Sequence, residues 1–427
     1  MTSSFPWSSD RAFERLGDTF SRADNDPGAQ AVFTKLLRRR GKHQAQTAPE
    51  NPHSLAGAIV SIKALFDVAG ETTTSGAKVL MDAPPATSDA VVIARLDKAG
   101  AVFAGLTNMS EFAYSGLGLN PHFGTPLNAV FPGCAPGGST SGGAVGVALG
   151  LCDIAIGSDT GGSLRIPAAF NGIVGFKPTQ GTVPMTGGRP LSDSLDSFGP
   201  MARSVAACEL AWQVMAGTDL QPVNKRPCRL VVPANFGLSE MDPVVAAGFE
   251  HLRQRLLASG LEIVEKQLVS IDLYGQVPPW HMTSVEARAH YERCFQDRPQ
   301  DFDQRVHARM ARADEISAVQ YRQTLNRRSE FIGAFSEEVW DDILLLPTTP
   351  ILPPEIDSLK DDATFNRLNL LALRNPSLVN VADGCGIALP FEHQNCVLSA
   401  MLIAPHGRDE TLLACAKAVE AALSGEA

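Results

Sequence analysis

The sequence has little of what marks the specialised protein classes. Charged residues make up only 19% of its 427 positions and aromatics 7%, while 44% are apolar. A chain with that balance buries a core rather than staying disordered, and its 37 glycines follow no collagen-like triplet. Basic residues are the minority, 36 Lys and Arg against 46 Asp and Glu, for a net charge of −10. A nucleic-acid backbone is repelled on average by such a surface, so nucleic acid is not expected as a partner. Long apolar runs are missing too. The most apolar window, from Gly143 to Gly157, is broken by Asp153 and diluted by glycine, well short of the roughly 20 residues that cross a bilayer, and no membrane association is expected. The start, through Phe20, carries Asp10, Arg11, Glu14 and Arg15; it has neither the apolar segment of a secretory signal nor a transit pattern, which predicts a cytoplasmic protein. The eight cysteines (Cys134, Cys152, Cys208, Cys228, Cys294, Cys385, Cys396 and Cys415) form no C-x-x-C pair and have no nearby histidine at ligand spacing. No zinc site or disulfide framework is therefore expected, and they read as small buried hydrophobes in a reducing compartment.

What is present divides by texture, with no internal repeat. Residues 1–56 are polar and mixed in charge, with an amphipathic stretch from Ala12 to Phe20 and a basic knot at Arg38, Arg39, Arg40, Lys42 and His43. They read as helices and a connector, the knot as a solvated helix end rather than an anion site. Residues 57–235 are rich in Gly, Pro, Ser and Thr, with short apolar runs such as Ile59–Ile62, Ala101–Gly105 and Ile154–Ile156 between helical segments. Ser88 or Asp89 is placed to cap a helix that shows Val92 and Leu96 on one face and stops at Gly100, after which Ala101-Val102-Phe103 resumes as a strand. This order predicts an α/β fold, a parallel or mixed β-sheet with helices on its faces. From 236 to 345 the chain gains charge and loses glycine; helices are predicted over 242–257, 280–295 and 318–335, and about 270–340 reads as a helical elaboration. Asp342–Leu346 reads as a strand closed by Pro347, and Glu410–Leu423 as an amphipathic terminal helix.

Two segments combine serine and glycine densely: Pro136-Gly137-Gly138-Ser139-Thr140-Ser141-Gly142-Gly143, and Gly157-Ser158-Asp159-Thr160-Gly161-Gly162-Ser163-Leu164-Arg165. Glycine permits positive φ and close approach to the main chain, so a run of freed N–H groups ending in a serine hydroxyl suits an oxyanion hole beside a nucleophile. Either segment alone could be a flexible loop. Neither is a phosphate loop, since no lysine follows the glycines, and no dinucleotide fingerprint occurs; no cofactor and no metal are expected. A serine nucleophile needs a base. The nine histidines are scattered and none sits in a motif; neither G-x-S-x-G nor H-E-x-x-H occurs. Lys63 stands out because it directly follows the apolar run Ile59–Ile62, which brings its ammonium out at the end of a buried strand, where an ordinary lysine would snorkel to water. The stretch Ser75-Gly76-Ala77-Lys78 has the S-x-x-K form of penicillin-binding enzymes, without their S-D-N and K-T-G motifs.

These segments, in this order and spacing, resemble the amidase signature family, whose hallmark is the stretch that here runs from Gly137 through Ser163 to Pro167. The likeness extends to Asn108-Met109-Ser110-Glu111-Phe112, to Asn120-Pro121, to Phe170–Thr179 and to Ser194–Met201. It covers residues 57–215 well and about 376–425 loosely. The resemblance implies a single large domain with a mixed sheet covered on both faces by helices, in which 1–56 is an N-terminal helical segment, 57–215 the core, about 270–340 an elaboration over the pocket, and 376–427 the return to the core. It implies a hydrolase of linear amides working through an acyl-serine intermediate. By position, Ser163 becomes the nucleophile, Ser139, preceded by a cis peptide, the proton relay, and Lys63 the base. The N–H groups of Thr160, Gly161 and Gly162, with that of Ser163, become the oxyanion hole. For Lys63 to accept a proton its pKa must fall from about 10.4 to roughly 7–8, which burial can supply.

The chain departs from the family where Ala64 replaces the usual aspartate after the lysine, and where Leu106 replaces the common lysine before Thr107-Asn108. For the substrate, Tyr114 and Ser115 align with a segment that lines the acyl pocket, and Arg165 is placed to pair a substrate carboxylate or to serve the fold. Trp280, His281, Met282 and Tyr291 are further pocket candidates, equally suited to core packing. The expected partner is a small amide, with a homodimer of the chain left open. Two other readings stay open: the A-type component of a tRNA-dependent amidotransferase, and a non-catalytic interaction protein on the same fold.

Overall fold

Every residue of strand β2 (Ile59–Lys63) is buried, and its alternate side chains enter different apolar clusters, Val60 and Ile62 on one side and Ile59 on the other. That is the signature of a strand covered on both faces. The same division recurs in β3 (Val102–Thr107) and β4 (Ile154–Asp159), which flank β2 in parallel. The computed structural model describes residues 5, 7–50, 53–218 and 229–424. Its strands form one sheet, completed by β1 (Phe33–Leu36), β5 (Val174–Lys177), β6 (Ser197–Ala202), β7 (Arg229–Pro233), β8 (Glu262–Lys266), β9 (Ile343–Pro347), β10 (Cys385–His393) and β11 (Cys396–Ala404). The order is β1-β3-β2-β4-β6-β5-β10-β11-β9-β7-β8. Parallel trios at β3-β2-β4 and β9-β7-β8 bracket an antiparallel middle. The result is a single α/β domain with a mixed sheet.

Helices 91–98, 205–216, 243–258 and 409–424 supply buried residues to the cluster on one face, among them Leu96, Met215, Leu252 and Leu412. The opposite face takes helices 12–25, 141–148, 318–338 and 362–381 through residues such as Leu16, Val147, Phe335 and Leu378. The elaboration expected over about 270–340 is helical, with helices 279–297, 304–311 and 318–338.

Three local readings need correction. The N-terminal region holds β1 as well as helices; its four residues, Phe-Thr-Lys-Leu, are half-exposed at the sheet edge, too short for a period to register. β8, with Glu262, Glu265 and Lys266 at the opposite edge, was hidden in a charged region for the same reason. The helix 91–98 has no side-chain cap; the Asp89 carboxylate is taken instead by Arg40, at 2.8 and 2.6 Å, and by the Ala69 N–H. Arg40 also reaches Asp97, and Arg38 pairs Asp24, so these two arginines of the basic knot are ion-paired on helix 38–47.

Candidate active site

β2 delivers Lys63 at its carboxyl end, between β3 and β4, the edge at which ligands gather in α/β sheets. The side chain does not snorkel. It is fully buried, with Nζ 2.7 Å from Ser139 Oγ and 2.9 Å from Ser158 Oγ. Burial lowers its pKa from 10.5 to about 7, against the opposing pull of the Asp159 and Asp196 carboxylates. A lysine so placed exchanges a proton near neutrality.

Ser139 is held from both sides of its peptide. The Gly138–Ser139 bond is cis; the Gly138 N–H donates to Gly116 O at 2.8 Å, and the Ser139 carbonyl accepts the Ser110 N–H at 3.0 Å. A Cβ on Gly138 would lie 2.6 Å from the Gly118 main-chain nitrogen, so only glycine lets the two loops meet. The Thr140 N–H donates to the Ser163 carbonyl at 3.3 Å, which brings the second serine-glycine segment against the first.

The turn from Asp159 to Arg165 is organised by one carboxylate. Asp159 accepts the N–H groups of Gly162 and Leu164, at 2.8 and 3.1 Å, together with two bonds from Arg165 and one from Asn380. Burial alone would raise its pKa, but the charge and hydrogen bonds of Arg165 hold it down at about 2. Gly162 has φ 129°, and a Cβ there would meet Pro376 Cβ at 2.6 Å, which is why the turn needs glycine at this position. The Gly162 N–H is thus spent on Asp159 and does not face the cavity, contrary to the expectation that it forms part of an oxyanion hole. Gly161 and Ser163 line the cavity, and among the described residues their N–H groups have no protein acceptor. Thr160 lines it too, while its hydroxyl donates to Asp196 at 2.5 Å.

The cavity in front of Ser163 encloses about 320 Å³, a size that suits a small molecule. Tyr114 and Ser115 line it. Tyr114 Oη lies 3.0 Å from Thr283 Oγ1, and Ser115 Oγ lies 3.1 Å from Asn369 Oδ1, so helices 279–297 and 362–381 roof the site. Trp280 lines it as well. His281 instead meets Thr324, Tyr291 donates to Pro190 O, and Met282 packs in the core.

The model of the family described as Amidase matches residues 19–413, a span that contains every group above. The chain belongs to the amidase family. It is a hydrolase acting on the carbon–nitrogen bonds of amides. Among its relatives, 2-amino-5-chloromuconic acid deaminase of Comamonas testosteroni is 31% identical, over 86% of this chain and 82% of the relative. Amidase 1 of Arabidopsis thaliana is also 31% identical, over 85% and 92%. The A-type component of a glutamyl-tRNA(Gln) amidotransferase from Synechococcus is 30% identical, over 97% and 93%. A crystal structure of an amidase superposes with a TM-score of 0.87 at 29% identity, covering 96% of each chain.

Within this amidase, Arg165 does not sit where a substrate could use it. It is fully buried, does not line the cavity, and spends its donors on Asp159, Pro376 O and Asn380 Oδ1. Its side chain belongs to the scaffold of the Ser163 turn. Three contributors escaped sequence reasoning. Ser158 stood in the glycine-rich stretch without any mark of its contact to Lys63. Arg309 and Arg312 line the cavity from a segment with no motif. Six cysteines are free thiols, whereas Cys415 is disulfide-bonded, against the expectation of thiols throughout; Cys228 lies outside the described residues. No helix among the described residues is long and apolar enough to cross a membrane.

Proposed function

We propose that this amidase cleaves a small linear amide through an acyl-serine intermediate, with Ser163 as nucleophile, Ser139 as proton relay and neutral Lys63 as base. The observation that carries the reading is the 2.7 Å contact between Lys63 Nζ and Ser139 Oγ, both of them buried side chains. Ser163 Oγ attacks the amide carbonyl carbon while its proton passes to Ser139 Oγ, whose own proton moves to Lys63 Nζ. The developing oxyanion accepts the N–H groups of Thr160, Gly161 and Ser163. Collapse breaks the C–N bond, and the ammonia or amine leaves with the proton returned through Ser139. Water then attacks the acyl ester, loses its proton by the same route and releases the acid. The test is Ser163→Ala combined with a serine-directed fluorophosphonate and intact mass. The wild type should gain one adduct and lose its activity against an amide panel, while the variant takes no adduct and turns over no amide; normal turnover by Ser163→Ala would sink the assignment.

A second reading, the A-type component of a tRNA-dependent amidotransferase, is favoured by the 97% coverage in the match to the Synechococcus protein. It predicts stable co-purifying partner chains when the tagged protein is isolated from its own cells; isolation alone, with amidase activity, argues against it. A non-catalytic interaction protein on this fold is disfavoured because Lys63, Ser139 and Ser163 are all retained. A cytoplasmic location and homodimeric assembly belong to the same proposal, read by fractionation and by light scattering.

A further inference from the structure

The cavity wall carries three guanidinium groups, Arg309, Arg312 and Arg374, and no aspartate or glutamate. In a chain of net charge −10 this is a local inversion of sign. Arg309 is the most deeply set. Its Nη1 donates to the Tyr114 carbonyl, its Nη2 is buried without a hydrogen-bond partner, and Asp303 acts on it only at longer range. Among the described residues no carboxylate lies within the 4.0 Å of an ion pair with it. Arg312 lies with its guanidinium 3.6 Å from the Trp280 ring centroid, and its one carboxylate contact is a loose one, Nε to Glu315 Oε2 at 3.7 Å between half-exposed side chains. Arg374 is spent on neutral oxygens, Gly237 O, Ser239 Oγ and Asn375 Oδ1.

A buried cation with an unfilled donor is costly unless an anion completes it, and guanidinium forks match a carboxylate in two-bond geometry. The rest of the wall supplies Leu191, Leu195, Leu370 and Leu373, which suit a short carbon chain and offer no counter-charge. We propose that the substrate is a small amide that also bears a carboxylate, and that Arg309 and Arg312 hold this carboxylate while Ser163 faces the amide carbonyl. The proposal rests on the acyl-serine reading for its chemistry, and on the arginine pair alone for its choice of substrate class. Holding the Tyr114 carbonyl engages Nη1 of Arg309 and leaves the unpartnered Nη2 for a ligand.

The test uses matched linear amides of equal length: half-amides of short dicarboxylic acids, neutral alkyl amides and ω-amino amides. The wild type should favour the carboxylated amide over its neutral counterpart by about 10- to 100-fold in kcat/KM, and the preference should shrink as salt is raised. Arg312→Gln should reduce that preference by about tenfold, and Arg312→Glu should turn it toward the ω-amino amide. Arg309→Gln should act in the same direction; because it also loosens the Tyr114 loop, Arg312 variants carry the decision if that protein misfolds. In parallel, the free dicarboxylate is titrated calorimetrically into Ser163→Ala. Hydrolysis of neutral amides with no dicarboxylate binding, or a preference that survives Arg312→Gln and Arg312→Glu, overturns the carboxylate site and leaves the amidase mechanism standing. Dicarboxylate binding that Arg312→Glu abolishes, with no amide of any charge hydrolysed, upholds the anion site and overturns the acyl-serine reading instead.

Discussion

Arg165 grips Asp159 from inside the turn that carries Ser163, with Nη2 2.8 Å from Oδ1 and Nε 3.0 Å from Oδ2, and both side chains are shut off from solvent. The same carboxylate takes the N–H groups on either side of Ser163, those of Gly162 and Leu164. The pair therefore fixes the path of the Ser163 backbone, and with it the direction in which the Gly161 and Ser163 N–H groups point. An arginine two residues past Ser163 looks like a substrate contact in sequence, and it is a fastener in the fold.

Asp159→Asn is accordingly expected to cost about 3–5 kcal/mol of stability, because it strands the Arg165 cation in the interior. Activity should fall further than the loss of folded protein explains. Denaturant unfolding of the single variants and of Asp159→Asn with Arg165→Met checks this: the double variant should recover part of the loss, and additive costs would mean that the two groups are not coupled.

Ser158→Ala removes the second oxygen near Lys63 Nζ. Hydrogen bonds to an ammonium are stronger than those to an amine, so the variant should lower the Lys63 pKa further and move the acidic limb of the rate profile to lower pH. A limb that stays in place or moves up would show that the contact does not favour the charged form.

Replacing Lys63 should be far more severe. Lys63→Ala is expected to lose about 10²- to 10⁴-fold in kcat/KM, since the proton from Ser139 has no acceptor. Arg should not rescue, because a guanidinium stays protonated. Near-normal turnover by Lys63→Arg would remove the neutral-lysine base from the mechanism.

The features visible in the sequence are those that leave a compositional trace. A run that is apolar but for Ser61 and ends in lysine, as Ile59–Lys63 does, brings a cation to the end of a buried strand, and two glycine-serine runs announce backbone brought close to backbone. The α/β class follows from the alternation of such runs with helices. What stayed hidden has no local trace. β1 and β8 are short edge strands whose charges, at Lys35, Glu262 and Glu265, mask their period. The choice between Arg165 as substrate contact and Arg165 as fastener depends on Asn380 and Pro376, more than 200 residues away. Arg309 and Arg312 reach the cavity only because helices 279–297 and 304–311 fold back over it.

Exhaustive dialysis against EDTA should leave amide hydrolysis intact, because a neutral amine relaying through Ser139 supplies the proton transfers without a Lewis acid. Lost activity that a divalent ion restores would contradict this.

The pH dependence separates a lysine base from a histidine base, and it links rate to stability. With the Lys63 pKa lowered by burial to about 7, kcat/KM should rise through that pH and level off on the alkaline side, as the ammonium gives way to the amine that accepts the Ser139 proton. Burial also lowers the pKa of His122, His281 and His307 below the ordinary 6.5, so these imidazoles are already neutral where the limb is expected. For stability the sign follows from proton counts. Between about 7 in the folded chain and 10.5 unfolded, the unfolded state binds the extra proton, so folding is favoured increasingly as pH rises through that window. Lys177, buried and lowered to about 8, adds to the same trend over a narrower range. Lys63→Met should abolish the stability rise between about pH 7 and 8 and weaken it from there to 10.5, where the part due to Lys177 remains, while the limb in rate should vanish from whatever activity remains. A limb that shifts or disappears on removal of a single histidine, with Lys63 intact, would assign the base to that histidine.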